Sequence, residues 1–341
     1  MTTFVPMLLM NSQLKKGEIR DFIDSIPDKV SKDMALAEYY YYTGHHAQSV
    51  AITSEYIKSD DFYVKASAWL LYLFSNLPLN RQEETKAGLD YIYSLLKSEG
   101  DIGVKADSSA GNADSQQALL VLVVNAGNIL FHLGIDKLPP VNDYLKLLPP
   151  GLKLFGSYLM AHQAYLKGEY EKGLGIVETV LSFEGETYLI PTIFIYLSGA
   201  MNAMSLNRVE KGKEYFLKAY ELAKEDELLE PIGEHHGLLH GLIEICLKKS
   251  EKSVYERIIK ITYQFSYGWR RVHNPIANEN VADTLTTTEF TIAMLANRGW
   301  TNNEIADYME MNVNTVKNHI TNVFNKLGIN SRKELNEFML R

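Results

Sequence analysis

Asn314, Lys317, Asn318, Thr321, Asn322 and Asn325 recur at three- and four-residue spacing near the C-terminal end of this chain. On a helix that spacing gathers amides, a hydroxyl and an ammonium on one face. Such groups can meet base edges: Asn pairs with adenine, Lys with guanine, and Thr with either. The opposite stripe of Val316, Ile320, Val323 and Leu327 has helical spacing and a packing role. A capped helix with an inert outer face would show the same stripe, so the stripe does not decide the matter. Charge does more. Between Met311 and Lys333 there is no Asp or Glu, whereas Lys317, Lys326, Arg332 and Lys333 all fall there. A locally positive face is what docking on a phosphate backbone requires. The whole chain has a formal net charge of -8, which argues against indiscriminate nucleic-acid binding and leaves only a local patch.

Other constellations carry less. His236, His240 and Glu244 fall on one helical face at a spacing that suits a metal, but no nearby Cys or second His cluster completes a site. Tyr39 to Tyr42, with His45 and His46, suit repeat packing and a turn. Tyr, His and Trp on an inner solenoid surface would also suit a peptide or small molecule. No Walker A pattern, GxGxxG turn or nucleophile elbow is present, so no catalytic residue, cofactor or metal is expected. Cys246 is the single cysteine and has no internal disulfide partner, which points to a reducing cytoplasm. The first residues lack the basic segment and longer apolar core of a signal peptide. Residues 188–206 are uncharged, but Pro191, Ser198 and Asn202 interrupt them, so a buried helix is expected rather than a membrane span.

The elements that must position these groups are helical throughout. With 46% apolar and 22% charged residues, the composition is that of an ordinary globular protein. Sustained alternation and hairpin-turn signals are nearly absent, so the expected class is all-α. Joints such as "SIPDKVSKD", "SNLPLNRQEE", "GIDKLPPVND" and "LLPPGLK" separate helical hairpins. Gly127 and Gly134 are followed thirty-four residues on by Ala161 and Gly168, and after a slightly longer step by Ala200 and Asn207. Each pair is a small residue seven positions before a turn residue. Gly173, Gly212 and Ala219 mark the second helices, and Ala37, Gly44 and Ser49 repeat the scheme near the start. This period resembles the tetratricopeptide repeat, although its first-helix Trp and closing Pro are missing. The resemblance implies a helical-hairpin solenoid over residues 1–267. "SEGDIGVKADSSAGNADS" (98–115) reads as a loop between hairpins, with a lid over a concave site as the alternative. Residues 268–283, including "WRRVHNPIANENVAD", lack helical periodicity and read as a linker, leaving 284–341 as a second domain.

That C-terminal module is densely punctuated. Thr286 precedes Glu289, Thr301 precedes Glu304 and Ser331 precedes Glu334, each by three residues, which is the capping-box pattern. Asn312 can cap a further start, and Gly299 and Gly328 stand where left-handed C-caps belong. The expected helices are 287–298, 302–309, 313–327 and 332–340, and the tight "MEMN" joint gives a helix-turn-helix. The stretch from Leu285 to Leu335 resembles, without a gap, the DNA-binding domain of LuxR-type (GerE-like) transcription regulators. The resemblance is carried by Leu285, Thr286, Glu289, Gly299, Glu304, Ile305, Ala306, Thr315, Val316, Lys317, His319, Lys326, Leu327 and Arg332. Thr288 stands where a basic residue is usual, which puts a phosphate contact in doubt, and Val313 stands where a polar one is usual.

The resemblance implies double-stranded DNA as a partner. The third helix would enter the major groove, with Lys317, Asn318 and Thr321 reading bases and Asn314 beside them. Thr301, Thr315, Lys326 and Arg332 would contact phosphates. Leu335, Phe338 and Met339 either form the dimer contact of this family or close the small core. MalT-like regulators combine a LuxR-type end with helical repeats and an ATPase module, and this chain resembles the first two parts alone. The expected protein is a homodimeric transcription regulator whose repeat array takes a small-molecule, peptide or protein effector, with RNA polymerase as a possible partner and no membrane. The alternative is a repeat scaffold whose terminal module binds protein rather than DNA.

Overall fold

The computed structural model describes residues 5–97, 111–131, 135, 138–184, 187–273 and 285–338. In chain order the first helices are α1 (Ile19–Ser25), α2 (Lys29–Tyr42), α3 (His46–Tyr56), α4 (Phe62–Asn76), α5 (Gln82–Lys97) and α6 (Gly111–Leu130). Two 3-10 turns lead to α7 (Pro150–Leu166), α8 (Tyr170–Glu184), α9 (Leu189–Ser205) and α10 (Val209–Ala223). Next comes a broken stretch, with α11 (Glu230–Glu234), a 3-10 turn and α12 (Leu242–Leu247), and then the long α13 (Lys252–His273). The last group is α14 (Thr287–Asn297), α15 (Asn302–Tyr308), α16 (Val313–Leu327) and a closing 3-10 helix, Arg332–Glu337. The fold is all-α, with no strand among the described residues.

Neighbouring helices pack as antiparallel hairpins, α2 on α3, α7 on α8 and α9 on α10, and α7 and α8 also lie against α9. The small residues of the period sit at these contacts: Ala37, Ala161 and Ala200 are fully buried. Their turn residues, Gly44, Gly168 and Asn207, all have positive φ (77°, 73° and 58°). Recurrence of one left-handed turn at matching positions is the backbone trace of the repeat. α9, the uncharged segment, is buried from Leu189 to Met204, and its Asn202 amide bonds back to the Ser198 carbonyl at 2.8 Å. No described helix is long and apolar enough to cross a membrane.

Three local expectations are corrected. Residues 111–115 of the expected loop are the first turn of α6, and 98–110 lie outside the described residues. The linker begins later than residue 268, because α13 continues to His273. There Trp269 donates its indole N–H to the Leu130 carbonyl at 3.2 Å. The amphipathic period of α13 is strong up to Phe265, and Gly268 with Arg270 and Arg271 masked its continuation in the sequence. Residues 274–284 lie outside the described residues. Finally, His236, His240 and Glu244 do not share a helix. His240 (φ 53°) and Gly241 (φ 84°) are left-handed and break the backbone between them, although the His236 Nε2 still meets Glu244 at 2.8 Å.

The array has a polar interior. Glu230 is fully buried against the His46 Nε2 at 3.1 Å, and Tyr41 donates its hydroxyl to Glu234 at 2.6 Å. Burial raises both carboxyl pKa values, that of Glu234 further because Glu230 stands beside it. His235 is also buried, with Nδ1 2.6 Å from the Pro231 carbonyl and Nε2 2.9 Å from the Tyr158 hydroxyl. A neutral ring satisfies both contacts by donating from Nδ1 and accepting at Nε2. Burial lowers its pKa from 6.5 to about 4. The folded-state value is depressed, so the stabilisation is fully present above pH 6.5 and is lost as pH falls towards 4. His235→Asn removes this titration, so wild type should lose roughly 3 kcal/mol more than the variant between those limits. Parallel pH-stability curves from urea unfolding would contradict the assignment.

Candidate nucleic-acid interface

The C-terminal helices form their own apolar cluster, with Leu285, Ile292, Leu295, Ile305, Val316, Val323 and Leu335 at its centre. Thr286 and Thr301 complete true capping boxes. Each hydroxyl accepts from the amide of Glu289 or Glu304, and each carboxylate takes the cap amide in return. The third expected box does not form. The Ser331 hydroxyl donates to the Glu334 carboxylate instead of capping an amide, and the chain continues as a 3-10 helix rather than an α-helix over 332–340. Residues 339–341 lie outside the described residues.

α16 is set by three devices. The Asn312 side chain accepts from the Asn314 amide at 2.8 Å, and Gly328 closes the other end at φ 65°. Val316, Ile320, Val323 and Leu327 are buried in the small core. The third device is an ion pair from Lys326 to Glu289 at 2.7 Å, which ties the end of α16 to the start of α14. Burial works to raise the Glu289 pKa, but Lys326 and the Thr286 amide together hold it below the usual carboxylate range. A lysine in the last turn also suits the helix dipole.

This seating turns Asn314, Lys317, Asn318, Thr321, Asn322 and Asn325 to solvent, all exposed on the side away from the core. The Thr321 hydroxyl donates to the Lys317 carbonyl at 3.0 Å and keeps acceptor capacity outward. Thr315 is exposed in the first turn of α16, and Thr301 is exposed as the cap of α15. Arg332 is half-buried, its guanidinium donating to the Trp300 carbonyl and the Asn302 side chain. Leu335 is fully buried in the core and Phe338 half-buried against it. Met339 lies outside the described residues. Val313 packs on the core, which accounts for an apolar residue there.

Sequence reasoning missed a second set of side chains on this module. Arg298 and Tyr308 face the helical array, bonding to Tyr165 and Ser205 and to the His240 carbonyl, and the exposed Glu310 pairs with Lys249 at the rim of the contact. Their partners lie far away in sequence, so no local pattern signals them.

Comparison of the chain with curated proteins and with solved structures gave no match. Residues 283–339 match the family of bacterial regulatory proteins, luxR family. The C-terminal module is therefore a LuxR-family helix-turn-helix domain, and the protein that carries it is a DNA-binding transcription regulator.

Proposed function

We propose that α16 enters the major groove and that Asn314, Lys317, Asn318 and Thr321 read base edges. The observation that carries this is the exposure of an Asn, Thr and Lys face opposite a buried apolar stripe, within a stretch free of acids from Met311 to Lys333. Thr301 and Thr315 contact phosphates and set the register. Lys326 and Arg332 contribute positive potential near the backbone while serving as internal ties.

With few cations on the reading face, one module binds DNA modestly, so the protein works as a homodimer. A contact through the last element rests on Phe338 and the residues beyond it, since Leu335 fills the core. The array up to α13 is a tetratricopeptide-like sensor or scaffold in the cytoplasm. It takes a small-molecule, peptide or protein effector, and RNA polymerase is a further partner.

The test is a salt series on fragments recovered from random-sequence selection with the full chain. Binding should weaken steeply with salt, retain a site preference, and lose about one unit of log-log slope per phosphate contact removed. Flat binding without preference would favour a module that binds protein.

A further inference from the structure

The face of the LuxR-family module that does not carry the reading residues is docked on the helical array. Arg298, the C-cap of α14, reaches Ser205 Oγ at 2.7 Å and Tyr165 Oη at 2.6 Å, at the ends of α9 and α7. Its guanidinium carbon lies 5.9 Å from the centroid of the Tyr165 ring. Around this fork, Tyr308 donates to the His240 carbonyl at 2.9 Å, and Lys249 pairs with Glu310. The Thr287 amide donates to the Tyr263 hydroxyl at 3.3 Å. The Phe290 ring lies over Gly237, and a Cβ on the left-handed Gly241 would meet Thr291 at 2.6 Å. The array thus presents a surface shaped for this module, and the module occupies it.

Gly237, His240 and Gly241 of this platform belong to residues 230–244, whose other side faces the interior. Glu230 meets His46, Glu234 takes the Tyr41 hydroxyl, and His235 bonds Tyr158. The His240 Nε2 stands 3.4 Å from the same Tyr165 hydroxyl that receives Arg298. This stretch holds a five-residue helix, a 3-10 turn and two left-handed residues. Short-range backbone bonds, such as His235 N–H to the Pro231 carbonyl and Leu242 N–H to the Leu239 carbonyl, join its pieces, and side-chain contacts seat it on either side. It is therefore a buried element, built of short pieces rather than one helix, with contacts to both regions, which is where coupling between them can pass.

We propose that the array grips the DNA-binding module through an arginine latch, and that residues 230–244 set the strength of that grip according to the state of the array's interior. The grip leaves Asn314, Lys317, Asn318 and Thr321 open, so it controls the orientation of the module rather than masking the bases' readers. The regulatory meaning rests on the function proposed above, while the latch itself does not.

Cys246 supplies a native probe. It is the single cysteine, it is half-buried beside Tyr308, and burial pushes its thiol up to about 11. Alkylation of the full chain by iodoacetamide should be slow in wild type. Arg298→Ala and Tyr165→Phe should each accelerate it on the order of tenfold, the weight of one charge-assisted hydrogen bond. The double variant should be no faster than Arg298→Ala alone, because both changes open one latch. Wild-type rates in both single variants, or additive acceleration in the double, would overturn the latch. Arg298→Ala should also keep wild-type affinity for a fragment carrying one selected site. A loss there as large as that of Lys317→Ala would overturn the open reading face. A chain that binds no fragment, yet shows the expected Cys246 rates, would refute the DNA-reading residues and leave the latch standing.

Discussion

Replacing Gly268 with alanine should destabilise the full chain by about 3 kcal/mol or more, at the severe end for a single added methyl group. An ideal Cβ at this position would lie 2.0 Å from the Leu77 carbonyl oxygen and 2.7 Å from its carbon. Both atoms are backbone, at the C-cap of α4, so no side-chain rotation relieves the overlap. Either α13 lifts from α4 or the end of α4 unwinds. Lifting would also strain the adjacent bond from Trp269 to the Leu130 carbonyl. Gly175 offers an internal comparison. It is an exposed glycine in α8 with nothing within 4 Å of an added Cβ, so Gly175→Ala should stabilise by about 0.5–1 kcal/mol through helix propensity. Urea unfolding followed by circular dichroism measures both. Equal midpoints for Gly268→Ala and wild type would show that α13 is not seated on Leu77.

That pair of glycines illustrates how unevenly the fold was legible. The hairpin period was readable because small residues and left-handed turns are local requirements, met by Ala161 with Gly168 and again by Ala200 with Asn207. The same holds for the boxes at Thr286 and Thr301, where cap and partner lie three residues apart. At Ser331 the identical spacing failed, because the hydroxyl bonds the Glu334 carboxylate directly and leaves the amide aside. The C-terminal part of α13 was read as linker because its helical state comes from Leu77 and Leu130, which no window around Gly268 contains. The His236 and Glu244 pairing was half visible. The two residues do meet, but across a left-handed break at His240 and Gly241 rather than along one helix. The exposure of Asn314, Lys317, Asn318 and Thr321 was the most legible feature, since it follows from the period of the apolar stripe on the same helix. The tie from Arg298 to Tyr165 was the least legible, since its partners lie in different parts of the chain.

Lys317→Ala and Thr321→Ala bear most directly on what this protein does. Both side chains are exposed on the face that also carries Asn314 and Asn318, one helical turn apart, so the proposed entry of α16 into the groove would bring them to neighbouring base pairs. A specific base contact contributes about 1–3 kcal/mol of discrimination, so each variant should weaken binding to a selected site by roughly 5- to 150-fold. The loss should be confined to the preferred sequence, with tolerance gained at one position per variant. Thr315→Ala should behave differently: a contact to phosphate carries no sequence information, so binding should weaken alike on selected and random fragments, with site preference retained. Neither outer-face variant should alter stability much, since the buried stripe of Val316, Ile320, Val323 and Leu327 is untouched. Fluorescence anisotropy on selected and scrambled fragments separates the two behaviours. If Lys317→Ala and Thr321→Ala weakened both fragments equally, the two side chains would be backbone contacts and the base readers would have to be sought at Asn314, Asn318 and Asn322. If they weakened neither, α16 would not be the helix that enters the groove.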